Sequence, residues 1–350
     1  MSAEPAALAV VAKPARRRIN VALQGGGAHG AFAWGVLDRL LEADCFEIEG
    51  IVGTSAGAMN AAVMAYGLAT GGAGAARIAL RTFWERISDA GRMSPMQPSL
   101  LDRWLKPGGM EYSPSYMMFD MMSKLLSPYQ LNPMNFNPLR DVLDRTIDCS
   151  AIKNCDAIKL FICATNVLSG KIRVFRNPDV SIDAVMASAC LPFLFQAVEI
   201  DQEFYWDGGY MGNPPIYPLI YNCESRDVLI VQINPIAIPE LPTSAQAIMD
   251  RINTLSFNSS LMREMRAVSF VTKLIDGGYD DDGRLKRMLI HTVDAESQLG
   301  RLGVSSKLNS DRQFLTGLFD LGRERADRFL ADHFDKVGRE SSTDITEKFL

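Results

Sequence analysis

The apolar run Ile48 to Val52 passes through Gly53-Thr54-Ser55-Ala56-Gly57 directly into an alanine-rich stretch, Ala56 to Ala65, that suits a helix. A chain turning that abruptly from strand to helix needs glycines on both sides of the corner, and the corner residue is left with its side chain exposed. This junction commits the chain to a layered α/β fold and puts a serine hydroxyl at a strand's carboxyl end, where a nucleophile would stand. Five-residue patterns with three fixed positions also arise by chance and from plain strand-turn-helix packing, so GxSxG is weighed with what surrounds it.

A second junction repeats the theme. Ile19 to Leu23 read as a strand, Gly25-Gly26-Gly27-Ala28-His29-Gly30 follow, and Phe32, Val36, Leu37, Leu40 and Leu41 then recur at helical spacing. A glycine-rich loop entering a helix N-terminus aims unpaired N–H groups at one point, as stabilising the oxyanion of acyl transfer requires. Two other readings exist for the same residues: a dinucleotide fingerprint, and a structural glycine turn. The first wants an acidic residue at the end of the next strand, where this chain has Gly53-Thr54-Ser55, with Glu47 and Glu49 lying earlier. A third element, Asp207-Gly208-Gly209, follows the strand-like Phe204-Tyr205-Trp206 and on its own reads as a turn.

Together, GGGAHG, GTSAG and DGG resemble, in order and spacing, the blocks of the patatin-like phospholipases. Val185-Met186-Ala187-Ser188-Ala189-Cys190-Leu191-Pro192 is similar to that family's further block, an Ala-Ser step followed by proline. The resemblance covers roughly residues 18 to 235. It implies that Ser55 is the nucleophile and Asp207 its partner in a dyad without histidine. It also implies that Gly25, Gly26, Gly27, Ala28 and Gly30 shape the oxyanion hole, with Gly53 and Gly57 forming the elbow and Gly208, Gly209 and His29 in support. Members often carry Arg or Lys where this chain has His29, so the charge beside the hole is expected to vary with pH.

An ordinary aspartate, with a pKa of about 3.9, is a poor base for a hydroxyl; burial beneath a lid would raise the basicity of Asp207, and proton transfer need be complete only as the attack on the carbonyl develops. The rival is an α/β-hydrolase triad, which Ser55, Asp207 and His291 satisfy in chain order. His291 lies in the strand-like Met288 to Val293 and reads as a satisfied strand residue; His333 reads as a helix-surface residue and His29 as a neighbour of the site rather than its base.

The chain has 350 residues, 47% of them hydrophobic, enough for a large core, and no apolar run of the roughly 20 residues that cross a bilayer. A net charge of -5 argues against nucleic acid as a partner. Six cysteines (45, 149, 155, 163, 190 and 223) lack CxxC spacing and read as reduced thiols of a cytoplasmic protein. Asp280-Asp281-Asp282-Gly283 falls short of a calcium loop and reads as a solvated turn. Residues 1–17 read as a disordered leader, with a basic membrane tether as the alternative, because Arg16 to Arg18 follow the apolar Leu8 to Ala12 where a signal peptide would place charge first.

Strands are predicted at 19–23, 48–53, 158–164, 171–175, 195–206, 228–233 and 287–293, with helices at 30–43, 55–68, 74–88, 138–147 and 181–190 between them. The fold class expected is a three-layer α/β/α patatin-like fold with a mainly parallel sheet, a catalytic domain at 18–335. Residues 91–137 carry eight of the 17 methionines and read as a lid-like insertion. Within it Ser113-Pro114 starts a helix whose Met117, Met118, Met121, Met122, Leu125 and Leu126 share one face. Packing on the core is the preferred role for that face; contact with acyl chains or peripherally with the inner membrane face is the other. Residues 236–335 are expected to be a mostly helical extension for packing or homodimerisation, without a chemical motif, and 336–350 a mobile tail.

The function expected is hydrolysis of a lipid ester, a phospholipid or lysophospholipid, through an acyl-serine, a mechanism that requires no metal or organic cofactor. An acyltransferase using the same acyl-enzyme and a catalytically idle scaffold are the alternatives.

Overall fold

The computed structural model describes residues 16–350 apart from 93, 95, 96, 106, 107, 239, 280 and 281. The expected leader, but for Arg16 and Arg17, and half of the Asp280–Gly283 turn lie outside the described residues. Eight strands form one sheet: β1 Arg17–Leu23, β2 Phe46–Thr54, β3 Lys159–Asn166, β4 Ile172–Arg176, β5 Val198–Ile200, β6 Glu203–Asp207, β7 Asp227–Gln232 and β8 Leu289–Asp294. Their order is β5-β6-β3-β2-β1-β7-β8, with β4 paired to β3 off this path. β3, β2, β1, β7 and β8 pair in parallel; β4 and β6 join β3, and β5 joins β6, antiparallel.

A parallel strand covered on both faces must be apolar on both, and the near-continuous hydrophobic runs of β1 and β7 obey this. Successive side chains point to opposite faces. Val21, Leu23, Ile51, Ile162, Leu229 and Val231 therefore join a core on one side, whereas Ala22, Val52, Phe161, Val228 and Ile230 join a core on the other. The first side is covered by α1 (Gly30–Ala43), α2 (Ala56–Arg92) and the helix Arg312–His333, the second by Ala245–Asp276 and the short helices Tyr217–Asn222 and Ile345–Phe349. The three layers expected are present. The two helices predicted at 55–68 and 74–88 run on as α2, interrupted at Gly71 and Gly72, where the backbone leaves helical geometry.

Three expectations are corrected. The tail is packed rather than mobile: Val337 and Phe349 are each 1% exposed, and Thr343 N–H donates to Ile290 O. Its polarity suggested a free end, but two apolar residues suffice to anchor it against the sheet. The helix Pro114–Leu125 forms as predicted, yet none of its residues is buried, and Met117, Met118, Met121 and Leu125 are 58–75% exposed. The face turned toward the protein is the mixed one carrying Tyr116, Phe119, Asp120 and Ser123, because this helix rides over a pocket rather than over the core. In Ala245–Asp276 the second half packs through Leu261, Met265 and Val268, while Ile248, Ile252 and Leu255 stay exposed. That helix also lines the pocket, which its lack of a chemical motif did not suggest.

Candidate active site

Sheet register brings the two distant motifs together. Thr54, the last residue of β2, lies opposite Cys163 on β3, and Asp207, the last residue of β6, lies opposite Ala164. A strand has two edges, and β4 occupies one of them from Phe161 to Thr165. β2 and β6 must therefore share the other, end to end, so that Ser55 leaves β2 where Asp207 finishes β6. Hydrogen bonds lock the junction: Thr54 Oγ1–H donates to Gly212 O at 2.6 Å, Thr165 Oγ1–H to Asp207 O at 2.8 Å, and the backbone Asp207 N–H to Cys190 O at 2.8 Å.

Ser55 occupies the corner with φ of +55°, the left-handed region that a non-glycine residue enters only under constraint. Its N–H donates to Ser188 Oγ at 3.0 Å, which gives the Ala-Ser step a physical role in holding the corner. Side chains at Gly53 or Gly57 would strike backbone, that of Gly57 and of Leu23 respectively, so α2 can approach β1 and β2 this closely only without them. Ser55 is 8% exposed.

The Asp207 carboxylate is fully buried. Oδ1 accepts the Gly209 N–H at 2.7 Å, and Oδ2 has no hydrogen-bond partner among the described residues. Burial pushes its pKa from 3.8 up to about 7, against the opposing pull of the Gly209 N–H, the Ser55 side chain and the Lys307 ammonium. The Ser55 hydroxyl thus weighs on the carboxylate's charge while Oδ2 remains open. The neighbouring glycines are required for space, since a side chain at Gly208 would meet the Cys163 carbonyl and one at Gly209 the Phe257 ring.

The glycine loop faces the same point. Gly25 comes so close to Ser55 that a Cβ there would stand 2.6 Å from Ser55 Cβ. Its N–H is engaged by Asn213 Oδ1 at 2.7 Å and its carbonyl by Asn234 Nδ2 at 2.7 Å, so Gly25 shapes the loop rather than offering a donor. The N–H groups of Gly26 and Gly27 meet no acceptor among the described residues, and both glycines line the pocket with Ser55. Gly27 takes φ of +57° and packs against the Lys307 carbonyl. Ala28 and Gly30 lie behind the loop, Gly30 beneath Ala56 and Trp84.

His29 is not beside the hole in the sense expected. It is buried, its Nε2 pairs with Ser306 Oγ at 2.7 Å, and burial together with Lys307 pulls its pKa down to about 3. It therefore stays neutral at ordinary pH, and the pH-dependent charge expected there is absent. His291 is buried too; its Nε2 contacts Asp227 Oδ1 at 3.0 Å and its Nδ1 Ser342 Oγ at 2.9 Å. The structure does not bring it to Ser55 or Asp207, and the triad is not assembled. His333 ends the helix Arg312–His333.

Ser55, Asp207 and the three glycines line a cavity of about 240 Å³ whose other walls are largely apolar: Phe119 and Tyr116 above, Leu191, Phe193 and Leu194 after the Ala-Ser step, then Tyr210, Phe257 and Leu308. A few converging polar groups in an apolar hollow suit an acyl chain ending at a polar carbonyl. Burial pushes the Cys190 thiol to about 12 and Cys223 to about 11, which makes both inert, and all six cysteines are free. No cluster that could hold a metal occurs among the described residues. Sequence reasoning missed Asn213, Asn234 and Lys307, which carry no local motif; only Asn213-Pro214 beside the DGG turn offered a signal.

Among solved structures, VipD from Legionella pneumophila is 15% identical with a TM-score of 0.46, over 95% of this chain and 72% of that one. Full-length ExoU from Pseudomonas aeruginosa, solved with SpcU, is 14% identical with a TM-score of 0.34, over 90% of this chain and 53% of that one. This chain thus spans about half the length of ExoU. No curated protein matches it. The family model described as patatin-like phospholipase matches residues 21–220, more than half of the chain and every motif from the GGGAHG loop to Asp207. On that match, the chain belongs to the patatin-like phospholipase family and is a lipid hydrolase.

Proposed function

We propose that this protein hydrolyses long-chain acyl esters of phospholipids or lysophospholipids through an acyl-Ser55 intermediate, with Asp207 as the sole general base. Asp207 takes the proton from the Ser55 hydroxyl as Oγ attacks the ester carbonyl. The N–H groups of Gly26 and Gly27 hold the oxyanion. As the tetrahedral intermediate collapses, the C–O bond to the leaving alcohol breaks and Asp207 returns the proton to it. Water then attacks the acyl-serine, giving its proton to Asp207, and Ser55 leaves with that proton restored.

The observation that carries this reading is the pairing of Ser55 with a buried carboxylate in one pocket, Asp207 being pushed up to about 7. An aspartate of ordinary acidity would hold a proton too weakly to serve as base, whereas one near 7 has the basicity usually supplied by histidine. The helix Pro114–Leu125 acts as a lid: its inner residues close the pocket, and its exposed methionines meet the lipid surface. No described helix is long and apolar enough to cross a membrane, and six free cysteines fit a protein working peripherally from the cytoplasm.

A fluorophosphonate should label the wild-type protein at Ser55, and Ser55→Ala should abolish both labelling and ester turnover. Labelling elsewhere, or turnover surviving in Ser55→Ala, refutes the assignment.

A further inference from the structure

We propose that Lys307, from a part of the chain outside the family match, is a positioning residue of the catalytic pocket: its ammonium shares the cavity with the Asp207 carboxylate and favours its charged form, while its backbone and side chain brace Gly27 and Gly25 of the glycine loop. The inference rests on the dyad reading above and adds to it a charge that none of the motifs contains.

Three observations converge on it. Lys307 lies in the turn Val304–Leu308 and is the only cation lining the pocket with Ser55 and Asp207 among the described residues. Its carbonyl packs against Gly27. Its Nζ donates to Asn234 Oδ1 at 2.8 Å, and Asn234 Nδ2 donates to Gly25 O at 2.7 Å, so one residue grips Gly27 directly and Gly25 through an asparagine. The titratable groups facing the ammonium are Asp207 from β6, Asp250 from the helix Ala245–Asp276, and His29 from the glycine loop. His29 is neutral and contributes no charge, while Lys307 pulls the pKa values of both Asp207 and Asp250 down. Burial lowers Lys307 itself to about 8, above the value of about 7 for Asp207. The ammonium is therefore charged across most of the range in which Asp207 takes up its proton.

The test is the pH profile of kcat/KM on a neutral, soluble p-nitrophenyl ester for the wild type, Lys307→Met, Lys307→Gln and Lys307→Arg, each checked for folding by thermal melting. Without the cation Asp207 binds its proton more tightly, so the acidic limb of both neutral variants moves to higher pH. Their rate at pH 6, as a fraction of each variant's own plateau, falls roughly threefold or more. Lys307→Arg keeps the wild-type limb. Neutral variants that lose height but keep the wild-type limb overturn the proposal, since a brace alone lowers the plateau without moving the limb. Should neither neutral variant fold, Asp250→Asn gives the same readout: Asp250 holds the Lys307 pKa up, so without it the ammonium gives up its proton nearer the range of Asp207, its pull weakens and the limb moves to higher pH, while an unmoved or lowered limb overturns the proposal. Asp207→Asn alongside separates the two readings. If it keeps activity and limb, the dyad falls; if it is inert while the limb of Lys307→Met stands still, only the role of Lys307 falls.

Discussion

Replacing Asp207 by asparagine should stabilise the fold at neutral pH while removing activity, and the size of the gain should follow pH in a defined way. Asp207 is fully buried and its pKa rises from 3.8 to about 7 on folding, so between those values the folded protein holds a proton that the unfolded chain has released. An acid of this kind contributes nothing unfavourable below its unfolded value. It costs stability as pH rises, by about 1.4 kcal/mol per unit, until the folded form has ionised as well. Over about three units the cost sums to about 4 kcal/mol. Asparagine keeps the acceptor for the Gly209 N–H and places an amide where Oδ2 has no partner, which costs roughly 1–3 kcal/mol independently of pH. The pH-dependent part is therefore separable. Urea unfolding of both proteins, followed by tryptophan fluorescence at steps from pH 4 to 8, should show the stability difference moving in favour of Asp207→Asn by about 4 kcal/mol and levelling off above pH 7. A difference that stays flat with pH, or that favours the wild type as pH rises, would refute the claim that burial has made this carboxylate a base.

Other substitutions test separate parts of the reading. Ser55→Gly and Ser55→Ala should be equally inactive, but glycine should unfold at higher denaturant, by about 1 kcal/mol, because φ of +55° costs a side chain strain that glycine escapes; equal midpoints would mean the corner is unstrained. His291→Ala should lose roughly 3 kcal/mol by emptying a buried site and removing the partner of Ser342 Oγ and one of the two partners of Asp227 Oδ1, yet keep its turnover per folded molecule, and an inactive, fully folded variant would restore the triad. Met117→Asp with Met121→Asp should leave melting within about 0.5 kcal/mol, both residues being more than half exposed, and reduce turnover of vesicle lipids roughly tenfold while sparing a short soluble ester. Equal losses on both substrates would confine the helix to a packing role.

The parts of the fold legible in the sequence were those in which one stretch of chain must satisfy its own geometry. β1, β2 and β7 are apolar on both faces because helices cover both, and the corner at Ser55 declares itself through Gly53 and Gly57, whose absent side chains let α2 approach. The helix Pro114–Leu125 was legible as a helix but not in its orientation: periodicity identifies an apolar face, and only the neighbours decide whether that face meets core or solvent. Here Met117 and Met121 face outward because the mixed face covers the pocket. Asp207 was legible as a turn, but its raised pKa was not, since that depends on burial under residues far apart in the chain. Lys307 shows the same limit more sharply. It stands in a short turn about 100 residues beyond Asp207, with no repeat, cap or glycine pattern to mark it, and the role proposed for it comes from its neighbours: Gly27, Asn234 and the carboxylates of Asp207 and Asp250. The family motifs place Ser55, Asp207 and the glycine loop through local geometry, and that geometry does not set their charge. The charge is set by what the rest of the chain brings to cover them: burial raises the pKa of Asp207, and the region least marked by motif supplies Lys307, the cation proposed to oppose that rise.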